Sequence, residues 1–244
     1  MSKNSVTLPE REYKNLGEIR LQCPVCKSGV LKIKENDEHS DDCDMDNKKP
    51  MNGNCYYGKY YQFGFRGVLE CENPNCHKRI VFAGNSWVDV EYPSNEDDSF
   101  IETNMYRIEY IACPPHLIGF NDGIPPHIKY VLHKSFQLYW IDLNSCANKI
   151  RVCLERIMDE FSEHIQTSPL GLGKRIESLV NKIPELRRVF DDAKWVGDST
   201  YHTEDITEDD LCNGYEMLKC VLNKLFRHGH KNQSAFKTKS IFSA

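Results

Sequence analysis

No apolar run in the 244-residue chain approaches the ~20 residues that a membrane-crossing helix needs, so a helical membrane protein is excluded. No apolar core follows the N-terminal MSKNSVTLPEREYKNLGEIR, so there is no signal-peptide pattern and the expected location is the cytoplasm. Glycine and proline number 14 and 11 and show no three-residue period, which excludes a collagen-like chain. With 40% hydrophobic residues and a net charge of −5, the chain is too apolar and too balanced for the disordered class. Also missing are a glycine-rich phosphate loop, a nucleophile elbow, a HExxH helix and any internal repeat. What the chain does have is cysteine, eleven in all. The chain is long enough to bury a core without disulfide staples. In a reducing compartment paired cysteines point to metal.

The cysteines fall in two groups. Six lie between Cys23 and Cys76 in polar, turn-rich sequence, and five lie between Cys113 and Cys220. From Cys146 onward they occupy apolar helical stripes, where a thiol is expected to act as a small core residue. Charge divides similarly. Residues 1–122 hold 14 Lys and Arg against 20 Asp and Glu, whereas residues 123–244 hold 17 against 16. Much of the acid is the stretch Glu35 to Asp46, which reads as a solvated loop.

Four segments follow from the patterning. Residues 1–20 are polar and read as a leader. From 21 to 112, short β-like runs alternate with turns: Val30–Ile33, Tyr60–Phe63, Gly67–Glu70, Ile80–Phe82, Trp87–Val90 and Tyr106–Ile111, with Glu91–Asn104 as a linker. After Pro125-Pro126 the period becomes helical, and residues 113–228 read as an antiparallel helical bundle. Its first helix runs to Ile141 and a turn spans Asp142–Asn144. A second helix starts near Ser145, a third covers Leu172–Ile183, a fourth Pro184–Val196, and Thr207-Glu208-Asp209-Asp210 caps a fifth. Residues 229–244 form a basic tail, with Lys231, Lys237 and Lys239 and no acid. The fold class is therefore α+β, a small β module followed by a helical bundle.

Cys23-Pro24-Val25-Cys26 and Cys71-Glu72-Asn73-Pro74-Asn75-Cys76 each sit between two β-like segments. Two tight turns that present two thiolates each can close a tetrahedron around zinc, which is how a zinc ribbon is built. The metal supplies folding energy to a module with little core of its own. Four thiolates leave no open coordination position, so the expected Zn²⁺ site, Cys23, Cys26, Cys71 and Cys76, is structural. Cys43, Cys55 and His77 are alternative ligands, and free thiols are the competing reading. Aromatics near the insertion, from Tyr56 to Phe65, can pack across strands or stack bases.

Two features stand out in the helical half. Arg151 and Glu155 share a helix face by their i, i+4 spacing, where an ion pair is one reading. Lys194-Trp195-Val196-Gly197-Asp198 ends the fourth helix and leads to His202, which can also be read as a cap or packing residue. The order of Pro125-Pro126, Arg151, Glu155, Lys194-Trp195, Gly197, His202, Ile206-Thr207 and Asp210 resembles the domain of unknown function 4145, a branch of the HEPN superfamily of helical bundles. The resemblance spans about Tyr110 to Arg227. It implies a HEPN-like bundle that dimerises, and it places the chain beside RNA-cleaving toxins and antiviral effectors. Active members carry an Arg a few residues before a His, usually with an Asn after the Arg, and cleave RNA without metal. By that resemblance His202 is the candidate acid or base, and Asp198 stands at the Asn position. The Arg position holds Gly197, so Arg151 or Lys194 would have to supply the cation.

Two functions follow as expectations. One is a nucleic-acid-associated regulatory or defence module, acting as a homodimer on RNA or DNA, alone or with partner proteins of a multi-gene system. The other is a metal-independent ribonuclease using His202, Asp198 and Arg151.

Overall fold

The computed structural model describes residues 6–39, 62–91, 101–160, 171–196 and 206–226. The chain divides into two compact units, Pro9–Pro115 and Met1–Leu8 with His116–Ala244. The expected acidic insertion beyond His39 and the basic tail 229–244 lie outside the described residues.

The first unit is a curled antiparallel sheet of six strands: β1 (Glu12–Tyr13), β2 (Leu21–Gln22), β3 (Val30–His39), β4 (Gln62–Cys71), β5 (Arg79–Glu91) and β6 (Ile101–Ile111), in the order β1-β6-β5-β4-β3-β2. Strand alternation sends Leu31, Phe65, Leu69, Ile80, Phe82 and Ile108 inward, all nearly or fully buried. Register shifts at Ile33/Glu35 and Ala83/Gly84 mark bulges, which sharpen the twist and curl the sheet. Several expectations change here. Ile80–Phe82 and Trp87–Val90 belong to the single strand β5, Gln62–Phe63 and Gly67–Glu70 to the single strand β4, and Glu35–His39, expected as the start of a solvated loop, to β3, while β6 begins at Ile101, inside the expected linker.

The first 20 residues, expected to be a polar leader, are shared between the two units. The sequence is polar on average, yet Val6, Tyr13, Leu16 and Ile19 are all buried. β1 pairs with β6 at one sheet edge and β2 pairs with β3 at the other. Residues 14–20 therefore run from one edge to the other as a strap. A flat six-stranded sheet would hold its edges ~24 Å apart. The strap spends part of its length in a 3-10 turn at Leu16–Glu18, so it falls short of the ~26 Å that full extension from Tyr13 to Leu21 would give. Only a curled sheet lets it close, and Leu16 and Ile19 then fill the interior.

The second unit contains α1 (Pro126–Ile141), α2 (Leu143–Glu160), α3 (Leu172–Lys182), α4 (Arg187–Asp192) and α5 (Glu208–Phe226). Asp142 caps α2 by accepting from the N–H groups of Asn144 and Ser145 at 3.0 and 3.1 Å, so that helix starts earlier than its apolar stripe indicates. Thr207 and Asp210 form the expected capping box, with Asp210 N–H on Thr207 Oγ1 at 3.2 Å and Thr207 N–H on Asp210 Oδ2 at 3.0 Å. The expected fourth helix is two 3-10 turns flanking the short α4.

Ile150, Leu154, Ile157, Leu211, Leu218 and Val221 are fully buried. Inside that core Tyr215 Oη donates to Ser135 Oγ at 3.0 Å, and Cys146 Sγ lies 3.2 Å from the same hydroxyl. This network ties α1, α2 and α5 together. Burial holds the Tyr215 phenol well above its ordinary pKa, so it acts as a neutral hydrogen-bonding group. Cys146 and Cys153 are core residues as expected, Cys212 is half-buried, and Cys220 is exposed. Residues 6–8 return to this unit: Val6 N–H donates to Glu216 Oε1 at 2.8 Å and Val6 C=O accepts from Cys212 Sγ at 2.7 Å. No helix among the described residues is long and apolar enough to cross a membrane.

Candidate metal centre

The site forms where β2 runs into one tight turn and β4 into another. In the first turn Lys27 N–H donates to Cys23 C=O at 2.9 Å, and Cys23 N–H donates to Gly29 C=O at 2.9 Å. In the second, Cys76 N–H and His77 N–H both reach Asn73 C=O, at 2.9 and 3.2 Å. Lys27 and His77 each follow the second cysteine of their turn, and both take positive φ, 59° and 47°. The left-handed conformation turns the chain sharply enough to face both sulfurs of a pair the same way.

Antiparallel pairing of β3 and β4 carries the second pair to the first. Leu31 stands opposite Cys71, and Glu72 N–H bonds Val30 C=O at 2.9 Å. This pairing also accounts for the long separation in sequence, because β3 leads away from the first pair and β4 leads back to the second. Asn73 Nδ2 donates to Ser28 Oγ at 3.1 Å, linking the two turns directly.

All four sulfurs lie within 4.8 Å of one another. Cys23 Sγ is 3.8 Å from Cys76 Sγ, and Cys26 Sγ is 3.6 Å from Cys71 Sγ. A tetrahedral ion with ~2.3 Å bonds to sulfur needs sulfur–sulfur edges of ~3.8 Å, so the closest pairs already match. A disulfide would need ~2.05 Å. Cys23 and Cys71 are buried, and Cys26 and Cys76 are half-buried. Gly29 is what makes room. A Cβ there would run into Cys71 Sγ, 2.8 Å from Asn73 Cβ and 3.2 Å from Cys26 Sγ.

The charges in the cluster are uneven. The Ser28 N–H, helped by the Gly29 N–H, lowers the Cys26 thiol to about 5. Burial, together with hydrogen bonds to the neighbouring sulfurs, pushes Cys71 up to about 12. At Cys76 the Lys78 N–H favours the thiolate, but burial and bonds to Cys26 and Cys23 outweigh it and raise the pKa. Two buried and two half-buried sulfurs form one clustered donor set. Such a set can hold a metal ion and leaves no position for a substrate.

The structure thus brings together Cys23, Cys26, Cys71 and Cys76. His77 is not part of the cluster, since its ring Nδ1 lies 3.7 Å from Glu70 Oε1 on the exposed side of the turn. Cys43 and Cys55 lie outside the described residues, as do Asp198 and His202. Arg151 lies on α2, where its Nη1 donates to Trp195 C=O at 3.2 Å. Trp195 packs against α5: its Nε1 donates to Asp210 C=O at 3.2 Å, and its ring fills the space over Gly214, where a Cβ would fall 2.6 Å from Cζ2. Sequence reasoning missed Gly29, Lys27 and Asn73. Their only sequence signal is their place within or just after the cysteine pairs.

The two units match separate families. Residues 11–110, which include the strap and all four clustered cysteines, match the family described as Domain of unknown function (DUF8608). Residues 133–243 match Domain of unknown function (DUF4145). That match starts within α1 and covers α2 to α5, including the Arg151–Trp195 contact. No curated protein and no solved structure matches the chain.

Proposed function

We propose that this protein is a zinc-ribbon and HEPN-like module that associates with nucleic acid in a regulatory or defence role, working in the cytoplasm as a homodimer. The observation that carries this reading is the closed four-thiol cluster, which offers structural metal binding and no catalytic position. Zinc is the ion that the sulfur spacing and all-thiolate donor set favour. Exposed Lys27 and Lys78, one on each turn of the cluster, give the metal end cations suited to phosphate. In a multi-gene system a partner protein would read the same surface.

The test measures metal content, oligomeric state and binding to labelled RNA and DNA across a salt series. The reading expects one zinc per chain, a dimer, and affinity that falls with salt and with Lys27→Glu plus Lys78→Glu. A monomer that binds no nucleic acid at low salt defeats it.

A metal-independent ribonuclease using His202, Asp198 and Arg151 is the second reading, and one observation favours it. Arg151 holds Trp195 C=O, and Asn144 Oδ1 accepts from Ile206 N–H at 3.0 Å. Asn144 and Arg151 are two turns apart on α2, so both ends of the segment that carries Asp198 and His202 are tied to that one helix. RNA cleavage that survives EDTA and disappears in His202→Ala would replace the first reading with this one.

A further inference from the structure

The strap that crosses the curled sheet leaves a cavity of about 440 Å³ beside it. Leu16, Ile33 and Tyr106 supply apolar and aromatic lining, while Lys14, Asn15 and Asn104 supply the polar lining. The cavity falls within the size range of small-molecule sites, and its lining is more polar than apolar. Tyr106 is braced edge-on by buried Phe65, with ring centroids 5.8 Å apart and an interplanar angle of 80°, so its ring has a set orientation.

Each polar group has a definite capacity. Asn15 Oδ1 is engaged by Gly17 N–H at 2.7 Å, which leaves its amide N–H₂ as a donor. Asn104 offers both a donor and an acceptor. Lys14 is exposed and makes no ion pair among the described residues. No carboxylate is among the described residues that line the cavity. One cation, amides that donate and accept, and a braced aromatic ring suit a planar heteroaromatic carrying a negative group. A purely apolar ligand would leave the amides unused, and a bare anion would leave the ring unused.

We infer that this cavity takes a single nucleotide unit, with its base against Tyr106, its base edge read by Asn104 and its phosphate on Lys14. The inference deepens the nucleic-acid reading above, because it assigns recognition of one exposed nucleotide to the strap end of the sheet. The same chemistry is offered by a free mononucleotide and by a nucleotide within a single strand.

The full zinc-loaded chain is titrated calorimetrically with the four ribonucleoside and four deoxyribonucleoside 5′-monophosphates, with the matching nucleosides and with inorganic phosphate. Short single-stranded RNA and DNA are followed by fluorescence anisotropy. Tyr106→Leu is expected to weaken binding roughly 5- to 150-fold, the range for losing one stacked base. Lys14→Glu is expected to weaken phosphate-bearing ligands about 10-fold and nucleosides little. Asn104→Ala is expected to level the preference among bases. Lys14 and Asn104 are exposed, so those variants keep the result meaningful if Tyr106→Leu perturbs the sheet. Monophosphate binding identifies a free nucleotide as a ligand, and strand binding without it identifies the strand. Either outcome supports the cavity only if the Lys14 and Asn104 variants change it. Inorganic phosphate binding as tightly as nucleotides overturns the inference. Strand binding that ignores Lys14→Glu and Asn104→Ala but is lost in Lys27→Glu plus Lys78→Glu overturns the inference and leaves the broader reading standing. No binding of any nucleotide or strand overturns both.

Discussion

Replacing Gly29 by alanine tests the metal centre with a single added carbon. The new Cβ would run into Cys71 Sγ and lie 2.8 Å from Asn73 Cβ, and both of these atoms belong to the opposite turn. Relief therefore requires the two turns to part, and a separation near 1 Å is needed to restore ordinary carbon–sulfur contact. Metal–ligand distances tolerate only about ±0.2 Å. The edges between Cys26 and Cys71, and between Cys23 and Cys76, now 3.6 and 3.8 Å, would lengthen out of tetrahedral range. Overpacking of this kind costs ~1–3 kcal/mol, which corresponds to a roughly 5- to 150-fold loss of metal affinity if the strain falls on the bound form. Chelator competition with zinc, read by a colorimetric indicator, measures that affinity directly, and a thermal melt measures the coupled loss of stability. Gly64→Ala is the control, because a Cβ at Gly64 meets nothing within 4 Å on the same sheet. If Gly29→Ala holds zinc as tightly as Gly64→Ala, the two turns do not close around one ion and the centre is not as described.

Three further outcomes are expected. His77→Gly removes a left-handed non-glycine residue at φ 47° and should raise the midpoint of thermal unfolding, by up to ~1 kcal/mol in stability, without reducing bound zinc. Glu185 has its pKa lowered by its own backbone N–H and by Lys224, whose Nζ lies 3.5 Å away. Its contribution is therefore present above the ordinary glutamate pKa and is lost as pH falls through the depressed value. Glu185→Gln should lower stability at neutral and alkaline pH, leave it unchanged below the depressed pKa, and so flatten the acid limb of stability against pH. Deleting residues 1–8 removes the bonds of Val6 to Glu216 and Cys212, and denaturant unfolding should show a loss of ~1–3 kcal/mol in the helical unit. An unchanged midpoint would mean that residues 6–8 do not stabilise α5.

Local chemistry made part of this legible from sequence. The paired cysteines with their turn residues, the capping box at Thr207 and the apolar stripes of α1, α2 and α5 all rest on interactions within a few residues of one another. Most misreadings came where partners are distant, with Asp142 the local exception. Asp142 was read as a turn residue because its role as the cap of α2 shows only in its bonds to Asn144 and Ser145. β5 was divided because Ala83-Gly84-Asn85-Ser86 lacks strand character, yet pairing with β4 and β6 carries the strand through. Residues 1–20 were read as a leader because four scattered apolar residues form no periodic pattern.

The sequence by itself singled out the two cysteine pairs as candidate metal ligands, and it determined most of the helical unit. A thiolate pair on a tight turn and an amphipathic stripe are properties of adjacent residues. Tertiary structure decided that the pairs meet, because only the β3–β4 pairing sets Leu31 opposite Cys71. It also decided that Tyr13 to Leu21 closes a curled sheet and borders a cavity. A strap gains its burial only once both edges of the sheet exist to hold it, and no local pattern encodes those edges.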